Sequence, residues 1–236
     1  MGDVEPKIDD KNFLVKFSFG EFVFPVTTLR PETIFGVTNL WVNPNVIYKK
    51  VTVDNETWIV SEECARKIAF FEKEVKIIGD IAGSEIIGKS AIVPNSGNEI
   101  PILPAEFVEP GMGTGLVMSV PAHAPKDYQA LMDLKASNHE LASKIEPIPI
   151  IVTPGYDEYP AKQICEKLGV SDQSDDKLEE ATKELYLKEF TDGKLNEKCA
   201  QFNNEKVQFG RDKVREWLQE NNHLEKFPVL ENAPVH

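Results

Sequence analysis

The stretch TTLRPETIFG, residues 27–36, places three threonines, an arginine and a glutamate directly after an apolar run. Hydroxyls, a cation and a carboxylate this close together suit a pocket that binds a small polar substrate. The alternative is a structural loop in which Thr27 and Thr28 end a strand and Pro31 stiffens the turn that follows. The stretch alone leaves both interpretations open.

A second group of reactive side chains lies around residue 125. His123 and Asp127 are four residues apart, so they share a face if the predicted helix already includes the histidine. Two ligands do not make a metal site, and the sequence has neither an HExxH motif nor a cysteine pair, so no metal is predicted. Asp127 alone fits two roles, capping a helix N-terminus or pairing with a substrate ammonium.

The glycine-rich stretch GMGTG, residues 111–115, resembles a phosphate-binding loop only in composition. Such a loop needs a helix directly after the glycines, whereas LVMSV, residues 116–120, predicts a strand. The stretch therefore predicts a turn that lets the backbone approach a neighbour closely. Ser119 lies inside the predicted strand without a GxSxG elbow, which argues against a serine hydrolase.

The elements that must hold these residues divide the chain into two parts. The first part alternates β-branched stretches with turns, and Pro25 indicates an edge or a bulge. From residue 160 to 222 the chain reads as charged amphipathic helices, whose charges are predicted to form a solvated face. The predicted strands are 13–19 and 21–28, which form a hairpin, 51–60, 75–81, 90–94 and 116–120. The helices before residue 160 are 61–73, capped by Ser61 with Phe71 on its apolar face, and 124–137.

Composition limits the class of protein. The chain has 236 residues and 41% apolar content, enough for one large domain or two small ones. Cys64, Cys165 and Cys199 lack paired spacing, which predicts a reducing compartment, and we expect a cytoplasmic location. The acidic start and the lack of a long apolar run predict no membrane association. A formal net charge of −13 argues against broad adhesion to nucleic acid.

Two longer stretches carry a family resemblance. TTLRPETIFGVTNLWVNP, residues 27–44, and GTGLVMSVPAHAPKDYQAL, residues 113–131, together resemble the editing domain inserted into class I aminoacyl-tRNA synthetases. The chain is most similar to the leucyl enzyme of the archaeal and eukaryotic cytosolic type, whose extra helical segment corresponds to about 155–225. Neither a HIGH nor a KMSKS signature occurs. We therefore expect residues 1–236 to be a single editing domain without the synthetic catalytic domain.

The resemblance implies an α+β fold with a mostly β, barrel-like core and peripheral helices. It also implies a hydrolytic site that deacylates tRNA(Leu) carrying isoleucine, norvaline or methionine, without a cofactor. The implied partners are the 3′ end of aminoacyl-tRNA(Leu) and the remainder of the synthetase, which binds ATP and leucine. The isolated domain is expected to be a monomer.

Three residues are assigned catalytic roles by the resemblance. Asp127 would bind the α-ammonium group of the amino acid, and Thr28 would orient the attacking water or the developing oxyanion. Thr33 would block the cognate leucine side chain sterically. A protein nucleophile is not required, because an aminoacyl ester is already reactive towards a positioned water.

Five further residues are assigned to substrate binding. Thr27 and Arg30 would complete the threonine-rich wall, and Met118 and Val120 would line the amino-acid pocket. His123 either orients the site or caps the helix. Two alternatives to the leucyl hydrolase stay open, a noncatalytic module that positions RNA and an editing domain of valyl or isoleucyl specificity.

Overall fold

The architecture is a curved β-sheet covered by helices. The computed structural model describes residues 7–9, 12–69, 74–227 and 229–231, with side chains in 12–69 and 74–227. The strands are β1 (Lys7–Asp9), β2 (Phe13–Phe19), β3 (Phe22–Thr28), β4 (Asn39–Val42), β5 (Ile47–Val53), β6 (Glu56–Val60), β7 (Val75–Ala82), β8 (Ser90–Ile92), β9 (Glu99–Pro104), β10 (Leu116–Ser119), β11 (Ile151–Val152), β12 (Lys194–Leu195), β13 (Leu224–Lys226) and β14 (Val229–Glu231).

One mixed sheet of ten strands forms the body of the fold. Nine strands follow the order β10-β4-β9-β8-β2-β3-β6-β5-β7, and β13 pairs with β2 beside this path. β10, at one end of the path, also packs against β3 near its middle, so the sheet curls back on itself in a barrel-like manner. This curvature brings the end of β3 and the end of β10 together.

Burial on both faces explains why the pattern of β2 alternates imperfectly. Val15 and Phe17 point into the main core, whereas Leu14 joins a second cluster with Trp58 and Val60. A strand that is covered on both sides needs apolar residues at successive positions. The main core also contains Phe24, Val26, Leu40, Val42, Ile59, Ile102, Leu116 and Ile150.

In the part of the chain that the structure describes, seven α-helices surround the sheet. Helix α3 packs on the β4–β9–β10 end through a cluster that includes Trp41, Leu103, Ala130 and Leu131. Of two 3₁₀ segments in the described residues, Pro31–Gly36 connects β3 to β4 and Glu197–Phe202 follows β12. The helices are α1 (Glu62–Ile68), α2 (Gly83–Ile86), α3 (Pro125–Ala136), α4 (Glu140–Ser143), α5 (Pro160–Leu168), α6 (Lys177–Asp192) and α7 (Val207–Glu220).

The predicted α+β fold, with a mostly β core and peripheral helices, is confirmed. All six predicted strand regions contain strands, and residues 51–60 include the end of β5 and all of β6, which a turn at Asp54 separates. The capping hydroxyl of Ser61 accepts a hydrogen bond from the Cys64 N–H group, as predicted. Phe71 lies outside the described residues. Sequence patterns missed β4, which pairs with β10, and β9, which pairs with β4.

The prediction that Pro25 marks an edge or a bulge is wrong, because β3 is an inner strand and its ladder with β2 has a continuous register. β3 lies between β2 and β6, and Pro25 is buried opposite Lys16. The ladder between β3 and β6 is limited to the pair Val23 and Trp58, so the backbone N–H that proline lacks is not needed at residue 25.

Candidate active site

A cavity of about 360 Å³ lies where β3, β10, α3 and α6 meet. This volume is at the lower end of the range of small-molecule sites. Its wall is formed by Thr27, Thr28, Leu29, Arg30, Thr33, Val117, Met118, Val120, His123, Ala124, Lys126, Asp127, Thr182 and Tyr186. All eight residues that the sequence singled out are therefore brought to one cavity, although their roles stay predictions.

The threonine-rich wall is a turn held by its own hydroxyl groups. The Arg30 N–H donates to Oγ1 of Thr28 at 2.9 Å, which leaves the Thr28 hydroxyl proton free to donate elsewhere. The Thr33 hydroxyl donates to the Arg30 carbonyl at 2.8 Å, so its side chain is fixed at the start of the 3₁₀ segment. The stretch is thus both the structural turn and part of the cavity wall, so the two interpretations of its sequence are compatible.

The glycine-rich turn packs directly behind this wall. Gly113 has φ +56°, and a Cβ added there would overlap Oγ1 of Thr27. A glycine is required both by the left-handed backbone and by the space that Thr27 occupies. The predicted close backbone approach is therefore made to a neighbouring side chain in the wall.

Asp127 adds a buried carboxylate to the wall of the same cavity. Its Oδ2 accepts from the Val120 N–H at 2.8 Å and its Oδ1 accepts from Nε1 of Trp41 at 3.0 Å. Burial raises the pKa of Asp127 to about 6, although these two hydrogen bonds and the charge of Lys126 oppose the shift. At neutral pH the carboxyl group is mostly ionised.

The helix that carries Asp127 begins without a side-chain cap. Its N-cap residue is Ala124, and the carboxylate of Asp127 bonds to the backbone before the helix instead. His123 does not cap this helix either. The apolar side of the cavity comes from β10, where Met118 is buried and Val120 follows the strand.

Arg30 joins the threonine-rich wall to helix α6. Its Nη2 donates to Oε2 of Glu189 at 2.7 Å, and its Nε donates to Oε1 of Glu32 at 3.1 Å. The guanidinium also lies 4.3 Å from the ring centroid of Tyr186, which is a cation–π distance. One cation therefore ties two wall segments and an aromatic ring together.

His123 extends this network on the other side of Glu189. Its Nδ1 is 2.6 Å from Oε1 of Glu189, and its Nε2 accepts from the Ile150 N–H at 2.8 Å. Because Nε2 is an acceptor, the ring proton lies on Nδ1 and is donated to the carboxylate. The imidazole is fully buried and its two nitrogens are both engaged.

The electrostatics of the network favour an ionised Glu189. Burial alone would raise its pKa, but the donors on His123 and Arg30 outweigh it and the pKa of Glu189 is lowered. For Arg30 the directions are reversed: burial would lower its pKa, but the charges of Glu189 and Glu32 raise it. Burial raises the pKa of Glu32 despite Arg30, so Glu189 is the preferred counter-ion.

The prediction that the charges of the helical segment form a solvated face is wrong for Glu189. Its side chain is fully buried, and α6 adds Thr182 and Tyr186 to the cavity wall. A signal was present in the sequence, because Glu189 follows the buried Leu178, Ala181 and Leu185 at helical spacing. A charge on an apolar stripe indicates a buried partner.

A larger cleft, of about 740 Å³, lies between α5 and α6 and has a different character. Its polar members Lys167 and Glu184 pair with each other at 2.7 Å, and Tyr156 donates to the same carboxylate. The cavity of about 360 Å³ instead collects a buried carboxylate, hydroxyl groups and an arginine around apolar surface. The chemistry of its wall, rather than its volume, marks it as the candidate active site.

Comparisons with known proteins define the class to which this fold and cavity belong. The family model described as "Leucyl-tRNA synthetase, editing domain" matches residues 12–144. The leucine–tRNA ligase of Methanothrix thermoacetophila is 52% identical over 190 residues, 78% of this chain and 20% of that protein. That of Ignicoccus hospitalis is 39% identical, across 100% of this chain and 25% of that protein.

Solved structures agree in fold. The crystal structure of "GlLeuRS-CP1" has a TM-score of 0.83 and 26% identity, covering 95% of this chain and 100% of that chain. The P. knowlesi cytosolic leucyl-tRNA synthetase editing domain has a TM-score of 0.80, covering 95% and 98%. At 19% identity this second likeness shows the fold alone.

The chain belongs to the leucyl-tRNA synthetase editing-domain family, and this membership supports a role in editing. It spans 20% and 25% of the lengths of the two curated relatives above. Within the part of the chain that the structure describes, no helix combines the length and apolarity needed to span a bilayer.

Proposed function

We propose that the cavity hydrolyses the ester bond of tRNA(Leu) that carries isoleucine, norvaline or methionine. The observation that carries the proposal is that the buried Asp127 carboxylate and the threonine-rich wall line one cavity. A mostly ionised carboxylate in a water-poor site attracts an α-ammonium group strongly. The hydroxyl groups of the threonine-rich wall line the same cavity, and we propose that they contact the ester.

The reaction needs positioning rather than a protein nucleophile. The oxygen of a water molecule forms a bond to the ester carbonyl carbon, and the bond from that carbon to the ribose oxygen breaks. The ribose hydroxyl leaves with a proton, and the free amino acid is released. Thr28 has an uncommitted hydroxyl proton, which it donates to the water or to the developing oxyanion.

Selectivity is assigned to Thr33 and to the apolar residues of β10. Thr33 is held by its bond to the Arg30 carbonyl, so its bulk is presented at a fixed position. One methylene discriminates by only ~1–3 kcal/mol in a permissive pocket, so active exclusion of leucine is the efficient solution. Met118 and Val120 accommodate the noncognate side chain.

The remaining assignments concern Thr27, Arg30 and His123. Thr27 and the Arg30 guanidinium complete the wall, and the contacts of Arg30 and His123 with Glu189 support a positioning role for both. These contacts also support the proposal that the helical segment of about 155–225 forms one editing domain with the rest of residues 1–236. The proposed partners are the 3′ end of the RNA and the remainder of a leucyl-tRNA synthetase.

The proposal is tested by single-turnover deacylation of Ile-tRNA(Leu) and Leu-tRNA(Leu). We expect the isoleucyl ester to be hydrolysed above its spontaneous rate and the leucyl ester to persist. Val-tRNA(Ile) and Thr-tRNA(Val) serve as matched controls for isoleucyl and valyl specificity. Faster hydrolysis of either control ester would contradict the leucyl assignment, and no hydrolysis of any ester by RNA-bound protein would favour a noncatalytic module.

A further inference from the structure

We infer that Trp41 is a positioning residue for the proposed hydrolysis, because its indole N–H holds the Asp127 carboxylate in the orientation and ionised form that an ammonium group requires. The inference rests on the proposed function. The contact joins Nε1 of Trp41 to Oδ1 of Asp127 at 3.0 Å, and both side chains are buried. Trp41 lies in the stretch 27–44 that carries the family resemblance, but the resemblance assigns it no role.

Each carboxylate oxygen of Asp127 accepts a hydrogen bond from a different donor. Trp41 contacts one carboxylate oxygen and the Val120 N–H contacts the other, so rotation of the carboxylate is restricted. A carboxylate offers about four lone-pair sites, and two donors leave two sites for a substrate cation. Because Asp127 lines the cavity, a substrate ammonium can take this remaining capacity without displacing either donor.

The fold holds Trp41 independently of any substrate. It lies on β4 opposite Val117 of β10, and it packs in one cluster with Leu131 of α3. Its ring also meets Phe107 edge to face, with the ring centroids 5.9 Å apart. The indole thus connects the strand that forms the apolar wall with the helix that carries Asp127.

Other charged or titratable groups around Asp127 bear on its ionisation. Lys126 is adjacent on α3, Arg30 and His123 come from the two loops that border the cavity, and Tyr186 comes from α6. Arg30 and His123 are already bonded to Glu189. Trp41 is the side chain that donates a hydrogen bond to the carboxylate within the described residues.

Removal of this donor should shift the pKa of Asp127 in a definite direction. A hydrogen bond to the ionised form of a carboxyl group lowers its pKa, so Trp41→Phe should raise the pKa of Asp127 further above its present value of about 6. A bond to a charged group corresponds to a shift of about one to two pH units. Hydrolysis by the variant should weaken near neutral pH and recover at higher pH.

The first test measures titration without catalysis. In the wild-type chain we expect the indole ¹H–¹⁵N resonance of Trp41 to titrate with the Asp127 ¹³Cγ resonance near pH 6. In Trp41→Phe the ¹³Cγ midpoint should move up by about one to two units. An indole resonance that ignores the titration of Asp127, or an unchanged midpoint in the variant, would overturn the inference.

The second test measures kcat/KM for the isoleucyl ester against pH. The acid limb should shift upward in Trp41→Phe, whereas the alkaline limb, where the α-ammonium group of the substrate loses its proton at about pH 8, should stay in place. The matched control is Trp58→Phe. Nε1 of Trp58 donates to Oε2 of Glu56 at 2.7 Å, and neither residue lines the cavity, so this variant should leave the acid limb in place. Equal loss at every pH would indicate a packing role alone. If no form hydrolyses the ester, the proposed function fails, whereas the titration test still decides the role of Trp41.

Discussion

Glu189 on α6 lies 2.7 Å from the guanidinium of Arg30, so a helix whose composition is typical of a solvated surface is fixed to the wall of the candidate active site. The same carboxylate accepts a hydrogen bond from His123. Two segments of the cavity wall, near residues 30 and 123, are thereby joined through α6, which is distant from both in sequence. The geometry of the cavity depends on this buried anion.

Replacement of Glu189 by glutamine should destabilise the fold. The amide would leave Arg30 without its nearest counter-ion and would present an N–H₂ group to either Arg30 or His123. Removal of one partner of a buried ion pair costs about 3–5 kcal/mol, so we expect a loss of that size in the free energy of unfolding. Glu184→Gln on the same helix is the matched control, because Glu184 is partly exposed and should cost about 1 kcal/mol or less.

The pH dependence of this loss has a definite direction. The pKa of Glu189 is lowered in the fold, so its stabilisation is complete above the ordinary carboxyl pKa and disappears as the pH falls through the lowered value. Urea unfolding of wild type and Glu189→Gln should therefore converge towards acid pH. A difference that stays constant, or grows, on acidification would contradict an ionised Glu189.

The rate of ester hydrolysis should fall on acidification through about pH 6. The pKa of Asp127 is raised to about 6, and only the ionised form attracts an ammonium group. Near pH 7 the carboxyl group is almost fully ionised and kcat/KM should stop rising, after subtraction of spontaneous hydrolysis, and it should fall again above about pH 8 as the α-ammonium group loses its proton. A profile that is flat from pH 5 to pH 7 would exclude an ionised Asp127 from the reaction.

Substitutions at Thr33 should separate its bulk from its hydroxyl group. Thr33→Ala and Thr33→Ser both remove the methyl group, and we expect them to hydrolyse Leu-tRNA(Leu). Thr33→Val keeps the shape but loses the bond to the Arg30 carbonyl, so it should continue to spare the leucyl ester. A gain of ~1–3 kcal/mol in transition-state binding corresponds to roughly 10- to 200-fold faster hydrolysis of the cognate ester. If the valine variant admits leucine as readily as the alanine variant, steric exclusion is refuted.

Gly113→Ala should damage the site through Thr27. The substitution meets both a left-handed backbone and an overlap with Oγ1 of Thr27. Gly97 has φ +72° with nothing within 4 Å of an added Cβ, so Gly97→Ala isolates the backbone penalty. We expect about 1 kcal/mol of destabilisation for the control and more for Gly113→Ala, with slower ester hydrolysis only in the latter. Equal effects of the two variants would show that the contact with Thr27 is unimportant.

The fold was largely predictable because its strands and helices follow strong local patterns. β2, β10 and α3 lie where alternation, glycine punctuation and the N-terminal Pro125 placed them. β4 and β9 were missed, since both are short strands inside the sheet whose residues are mostly buried. A short apolar run of this kind lacks the alternation that identifies a strand with one solvated face.

The residues of the site were predictable, but several of their contacts were not. Motif resemblance selected eight residues that line one cavity. The sequence pattern predicted that Glu189 is solvated, like the other charges of its helix. Its burial depends on the position at which α6 packs on the rest of the fold, and a local pattern does not contain that information. Trp41 carried no local sign of a bond to Asp127, since the two residues are 86 positions apart.

The central claim is tested most directly by deacylation of Ile-tRNA(Leu) by the wild-type chain, Asp127→Ala and Asp133→Ala. Asp133 lies on the same helix and also accepts two hydrogen bonds, from Nε2 of Gln129 and the Gln173 N–H, but it does not line the cavity. Each alanine substitution leaves two hydrogen-bond donors without their acceptor, which costs about 1–3 kcal/mol of stability for each donor that is buried. The free energy of unfolding is therefore measured for both variants. We predict that wild type and Asp133→Ala hydrolyse the isoleucyl ester and that folded Asp127→Ala does not. Hydrolysis by folded Asp127→Ala at the wild-type rate would contradict the account.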